Sequence, residues 1–271
     1  MSAGLAHGSA RGIRAVNPVA KLGAALLLAV CLVLTIDWVS AAMALALELL
    51  AALALIAAGR FGISPRTFWL RTLPVWLAAP LAALTIALYG ETSGTVYWEW
   101  LAIRISDGSL ELALATALRV LAIGLPAVVL FITVDATDLA DGLAQVWRLP
   151  ARFVLGALAA FRLVGLFFDD WRYLSLARRA RGVGDSGRIR RATGQVFALF
   201  VLAIRRGSKL ATAMEARGFG GPAFNGTGQR TWARESRFGA REWLVVLAGL
   251  MIGLAAITAA VITGHWNFIV G

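Results

Sequence analysis

The chain has 271 residues, of which 59% are hydrophobic and only 15% charged, with a mean hydropathy of +0.76. Soluble globular domains carry about a quarter charged residues, so this balance excludes a soluble globule and indicates a membrane protein. In such a protein the net charge of +11 bears on sidedness rather than on nucleic acid, which is not an expected partner. The single cysteine, Cys31, excludes an internal disulfide. His7 and His265 stand near opposite ends of the chain, so no His/Cys metal set is expected, and no cofactor either.

In chain order, residues 1–21 form a polar tail with Arg11, Arg14 and Lys21 just ahead of an apolar run over 22–36. Val39-Ser40-Ala41 resembles a signal cleavage site, but the apolar pattern resumes at once, so the run is read as a retained first span. A second span is predicted over 38–58, long enough for a hydrocarbon core of roughly 30 Å. Residues 59–66 close it with Gly, Pro and two arginines. A third span over 68–89 contains Pro74 and Pro80, which membrane helices tolerate as kinks. Residues 90–100 are acidic and aromatic, as an outer loop at the interfacial belt would be. The fourth span, 110–134, returns the chain to the side where it started, and the last covers 243–263.

Positive charge tests this layout, because Lys and Arg concentrate in cytoplasmic loops. The tail holds three, the turn with Arg60, Arg66 and Arg71 holds three, and residues 148–241 hold eighteen of the 26, leaving only Arg104 and Arg119 elsewhere. The expectation is an all-α polytopic membrane bundle of about five transmembrane helices: tail 1–21, spans one to four within 22–134, a large cytoplasmic segment 135–242, and a last span within 243–271. Two further apolar stretches, 153–168 and 196–204, are read as cytoplasmic helices. The first is interrupted by Arg162 and bounded by Arg152 and Arg172, and the second has nine residues against the roughly 20 that a crossing needs. Asp135 or Thr137 is expected to cap a short helix through Val146, with Leu149-Pro150 breaking it from the next and Pro150 in the first turn of the longer helix.

Within that segment two stretches end in one six-residue frame: Ala177-Arg178-Arg179-Ala180-Arg181-Gly182 and Ala213-Met214-Glu215-Ala216-Arg217-Gly218. Gly after a helix end takes the left-handed conformation, and a nearby Arg complements the negative end of the dipole, so an Arg-Gly end is ordinary. Ala10-Arg11-Gly12 repeats the tripeptide in the tail. The conjunction of a shared frame, two non-crossing helices and one membrane face marks Ala180, Arg181, Gly182, Ala216, Arg217 and Gly218 as paired functional tips.

The sequence resembles the transmembrane T component of energy-coupling factor (ECF) transporters, the vitamin and metal-ion importers of the ABC class. Asn17-Pro18-Val19-Ala20-Lys21-Leu22 is similar to the family's Asp-Pro-x-x-Lys-Leu, with Asn for Asp. Residues 133–143, the Leu149-Pro150 break and the Ala-Arg-Gly pair resemble its cytoplasmic coupling region. The resemblance implies long cytoplasmic coupling helices whose two tips dock into two cytoplasmic ABC ATPase subunits, and a small membrane S component that binds the substrate. It places the chain in a bacterial plasma membrane with its N-terminus cytoplasmic. It leaves the substrate open among vitamins such as biotin or thiamine and metal ions such as cobalt or nickel.

The residues agree with a non-enzymatic role: there is no G-x-x-x-x-G-K-[ST] phosphate loop and no paired nucleophile and base. A polytopic membrane enzyme would need an acid/base constellation, and Asp135, Asp138 and Asp141 are the only cluster, spaced for a solvated helix face. A self-contained secondary transporter would show matching halves, and none is visible. Phe153, Phe161 and Phe168, with Phe167 and Trp171, make an aromatic surface that needs a cover, which is assigned in part to the S component. Glu48 and Arg119 are expected to form a buried ion pair or share a polar network that includes Thr116, since both charges fall at about 14–15 Å depth by helical rise.

Overall fold

The computed structural model describes residues 12–90, 93–100, 103–182, 187–219, 232, 234–264 and 266. Arg11, in the tail copy of the tripeptide, and both histidines lie outside the described residues. Among the described residues eight α-helices follow in order: α1 Pro18–Val33, α2 Trp38–Ala57, α3 Pro65–Tyr89, α4 Asp107–Thr133, α5 Ala136–Gln145, α6 Ala151–Ala180, α7 Arg188–Ala216 and α8 Ala240–Ile262.

Local chemistry sets most of the boundaries. The Asn17 side chain accepts from the Val19 N–H at 3.0 Å, and Pro18 fills the first helical position, where a missing N–H is harmless. The first helix therefore starts four residues before the expected span and takes Lys21 out of the polar tail into its first turn. Asp37 caps α2 through the Ser40 N–H at 2.6 Å, and Ser64 caps α3 ahead of Pro65. α3 continues unbroken through Pro74 and Pro80. Ser106 and Ser109 satisfy each other's backbone N–H groups at 2.9 and 3.3 Å at the start of α4, and both are buried. Asp135 accepts from the Thr137 N–H at 2.7 Å ahead of α5, as its spacing predicts.

One element departs from the helical reading. Residues expected as an outer loop form an antiparallel hairpin, β1 Val96–Trp100 with β2 Ile103–Ser106, paired Trp98 to Ile105 and Trp100 to Ile103. Its run of aromatic and β-branched residues is what strands favour, and that signal outweighed the loop reading of 90–100.

The chain divides into two compact units, Met1–Leu139 with Arg237–Gly271, and Ala140–Ser236. In the first, α1, α2, α4 and α8 meet around Leu28, Leu32, Ala44, Ala122 and Ala256, and α3 lies along α4. Small residues face inward here and large ones outward: Ala20, Ala41, Ala44, Ala115 and Ala256 are at most 1% exposed, whereas Leu53, Leu70, Leu81 and Phe131 are more than 60% exposed. That is the pattern of a bundle whose solvent is lipid, because only small side chains let helices approach closely when apolar burial offers no gain. Among the described residues five helices are able by length and composition to cross a bilayer, namely α2, α3, α4, α6 and α8, so the number matches the expected five but the membership does not. At 16 residues α1 is shorter than the roughly 20 that a straight crossing needs, yet it belongs to the bundle, where Leu28 and Leu32 enter the core. α6 belongs to the other unit.

Helices α1 and α8 approach each other closely. A Cβ at Gly249 would meet the Ala24 carbonyl oxygen at 2.7 Å and its Cα at 2.9 Å, and one at Gly253 would meet Cys31 at 2.8 Å. Gly249 and Gly253 are four apart and form a small-xxx-small seam. Gly249→Val is therefore expected to destabilise the folded chain by about 1–3 kcal/mol through overpacking, read as a lower midpoint of denaturant unfolding in detergent. Gly165→Ala, with nothing within 4 Å of the new Cβ, should leave that midpoint unchanged or raise it slightly.

Candidate docking site

The second unit is built around α5, α6 and α7. Ala140, Ala144 and Val154 form its small core, with Leu143, Leu158 and Trp232 packed against it. The Gln145 amide uses both its ends on the returning chain: Nε2 donates to the Arg234 carbonyl and Oε1 accepts from the Ser236 N–H, each at 2.9 Å. Pro150 stands at the N-cap of α6, one position earlier than expected, with the Phe153 N–H bonding its carbonyl at 3.0 Å.

Two contacts set α6 beside α7. The Arg206 guanidinium grips Asp170 with both terminal nitrogens, Nη2 to Oδ1 at 3.0 Å, and Arg178 donates to the Arg191 carbonyl at 3.2 Å. Since 178 meets 191 and 170 meets 206, the helices run antiparallel there. The tip of α6 thus lies beside the start of α7, and the tip of α7 lies at the opposite end, on the order of 40 Å away for 29 residues at 1.5 Å each.

The tips share one backbone geometry. Arg181 has φ −88° and ψ 4°, Arg217 has φ −88° and ψ 9°, and the following Gly182 and Gly218 have φ +70° and +77°. The Gly182 N–H bonds the Arg179 carbonyl at 3.0 Å, and the Gly218 N–H bonds that of Glu215 at 2.9 Å. At the second tip the Phe219 N–H adds a bond to the Met214 carbonyl at 2.9 Å, completing a Schellman closure. Ala180, Arg181, Gly182, Ala216, Arg217 and Gly218 are all exposed. Each tip is a hydrogen-bonded helix end with an exposed arginine at the C-cap, whose guanidinium is suited to bidentate contact with carboxylates.

The pattern of the cobalt transport protein family, CbiQ, matches residues 9–227, which include both tips. The chain belongs to this family. Relatives named energy-coupling factor transporter transmembrane protein EcfT agree with that placement. The one from Lactobacillus helveticus DPC 4571 is 28% identical over 174 residues, 60% of this chain and 62% of that protein. The one from Lacticaseibacillus paracasei is 29% identical over 199 residues, 67% and 73% of the two chains. The one from Brevibacillus brevis is 26% identical over 206 residues, 72% and 73%. The chain spans less than two thirds of the Lactobacillus helveticus and Limosilactobacillus fermentum proteins, 62% of each. As a CbiQ-family chain with five helices long and apolar enough to cross a bilayer among the described residues, it is a multi-pass membrane protein.

The other expected site residues fare differently. Phe153, Phe161 and Phe168 are 64%, 65% and 75% exposed, so the aromatic surface of α6 is open, with Arg152 stacked 4.7 Å from the Phe153 ring centre. Phe161 and Phe168, seven apart with Val164 between them, share one helical face. α7 carries a matching stripe, Phe197, Phe200, Val201 and Ile204, also exposed.

The expected pairing of Glu48 with Arg119 is not formed. Arg119 donates to the Thr35 carbonyl in the α1–α2 turn, within reach of the Asp37 charge, while neither carboxylate oxygen of Glu48 has a hydrogen-bond partner. Helical side chains lean toward the N-terminus of their helix, and Arg119 follows that lean to a carbonyl beyond the end of α1. Equal depth along two helices was not enough to bring the two charges together. Sequence reasoning also missed Gln145, for which only its position at the end of α5 gave a hint.

Because nothing stands within 4 Å of a Cβ at Gly182 or Gly218, Ala there strains only the backbone. Gly218→Ala is expected to cost about 1 kcal/mol, so amide hydrogen exchange at Arg217–Phe219 should speed roughly fivefold while the middle of α7 is unchanged.

Proposed function

We propose that this chain is the T component of an ECF-type ABC importer, joining ATP hydrolysis in two cytoplasmic ATPase subunits to reorientation of a small membrane S component that binds a vitamin or transition-metal ion. The observation that carries this reading is the pair of helix ends with one sequence frame, one backbone geometry and exposed arginines at opposite ends of an antiparallel pair. A spacing on the order of 40 Å suits two partner subunits better than one small contact. The relatives' printed names support the same assignment.

The layout follows from charge. The spans are α1, α2, α3, α4 and α8, in a bacterial plasma membrane, with the N-terminus and the segment 135–242 cytoplasmic. α6, although long and apolar enough to cross, is cytoplasmic, because threading it would leave arginines on both faces. Its open aromatic face, with Phe153, Phe161 and Phe168, is assigned to the S component and the membrane face.

Arg181→Ala and Arg217→Ala should each leave protein level and membrane insertion near normal, because both side chains are exposed. Loss of a buried charge-paired contact at an interface costs about 2–5 kcal/mol, so each change should weaken ATPase retention and uptake severely, and the double variant should release the ATPases. Arg→Lys should rescue poorly for want of the planar fork. Arg11→Ala should do little. If the tips only terminate helices, the loss is about 0.3–1 kcal/mol of helix stability with ATPase binding intact. Co-purification with transport assays decides, and full ATPase binding and uptake in the double variant would remove the basis for this function. Photocrosslinkers at Phe161 and Phe168 should capture the S component in the assembled complex, and capture of none counts against that contact.

A further inference from the structure

The chain leaves the bundle for the segment Ala140–Ser236 past the end of α4 and returns to it ahead of α8. The first turn of α1 holds both. Lys21 Nζ donates to the Thr133 carbonyl and approaches Thr133 Oγ1, each at 3.3 Å, across 112 residues of sequence. Asn17 Nδ2 donates to the Arg237 carbonyl at 3.0 Å, across 220 residues. Both side chains are buried, at 7% and 9% exposed.

The residue types suit these positions. Thr133 is the last residue of α4, so its carbonyl has no partner in the helix and lies at the negative end of the dipole, where a cation is favoured. Asn17 uses its amide twice, since Oδ1 caps α1 while Nδ2 reaches Arg237. A carboxylate could keep the cap but has no proton to donate. Burial makes either bond costly to leave unmade, so both ends of the segment are held to one helical turn.

We propose that Asn17 and Lys21 are positioning residues that anchor the exit and re-entry of the cytoplasmic segment to α1, so that its displacement is delivered to α1 rather than absorbed in residues 133–139 and 237–239. From α1 it passes to α8 through the Gly249 and Gly253 seam. This rests on the T-component reading and names where the motion enters the bundle.

The test uses the full chain assembled with its two ATPase subunits and S component in nanodiscs. Cys31 is replaced by Ala, and spin labels are placed at Leu26 on α1 and Leu84 on α3, both on outward-facing surfaces. Addition of ATP should shift the α1–α3 distance measured by pulsed EPR by roughly 2 Å, the scale of helix shifts in packed assemblies. Lys21→Met, which keeps length without the donor, and Asn17→Asp, which keeps the cap without the donor, should each remove more than half of that shift. ATPase retention and hydrolysis should stay close to the parent. An undiminished shift in both variants overturns the anchor, as does a smaller yield of complexes whose shift is full, which would make the residues stabilisers alone. Absence of any shift in the parent also overturns it. Failure of the parent chain to retain ATPases, or full retention and hydrolysis by the double tip variant Arg181→Ala with Arg217→Ala, sinks the T-component reading and the anchor with it. An undiminished shift with intact, tip-dependent ATPase binding sinks the anchor only.

Discussion

Helices in hydrocarbon gain nothing by burying apolar surface against each other, and the architecture of the first unit follows from that constraint. Cohesion has to come from close approach, so alanines and glycines line much of the interior beside Leu28 and Leu32, while many large apolar side chains point outward. The seam of Gly249 and Gly253 brings α8 onto the backbone of α1, and Gly124 does the same for α4 against Val75 of α3, where a Cβ would meet Cγ1 at 2.6 Å. A short α1 can belong to such a bundle because contact at small residues, more than length, determines membership.

The second unit is held differently. Its apolar core is small, and much of its order comes from polar bonds: the two-nitrogen grip of Arg206 on Asp170, the Arg178 bond to the Arg191 carbonyl and the two-ended Gln145 clamp. Such bonds leave large apolar stripes on α6 and α7 open, and exposed apolar surface of that extent marks a protein or membrane contact. They also hold the two arginine tips apart at the ends of rigid rods. The matched φ and ψ values at Arg181 and Arg217 mean that both side chains leave the backbone in the same local geometry.

The hydrogen-bonded polar side chains buried in the bundle gather near its ends. Thr35, Asp37 and Ser40 interlock at the α1–α2 turn, with Thr35 Oγ1 2.9 Å from Ser40 Oγ, and Arg119 is drawn to that turn. At the other end Asn17 and Lys21 satisfy carbonyls of Arg237 and Thr133. In a medium without water each freed carbonyl needs a donor, and a long side chain that leans along its helix can supply one from a turn away.

Composition, the positive-charge distribution and the twin frames at 177–182 and 213–218 were legible in the sequence, because hydropathy and charge act locally and a repeated frame needs no partner to be seen. The α5 cap at Asp135 and the break at Pro150 were legible for the same reason. The hairpin at 96–106 carried a local strand signal as well, one that the aromatic-belt reading overrode. What the tertiary structure alone decided is which distant groups meet. Arg119 lies on Thr35 and not on Glu48, Asn17 reaches Arg237, and Gln145 spans Arg234 and Ser236. Depth along a helix follows from counting residues. Rotation about the helix axis and the pairing of helices depend on how small residues on several helices interlock at once, and no single stretch of sequence contains that information.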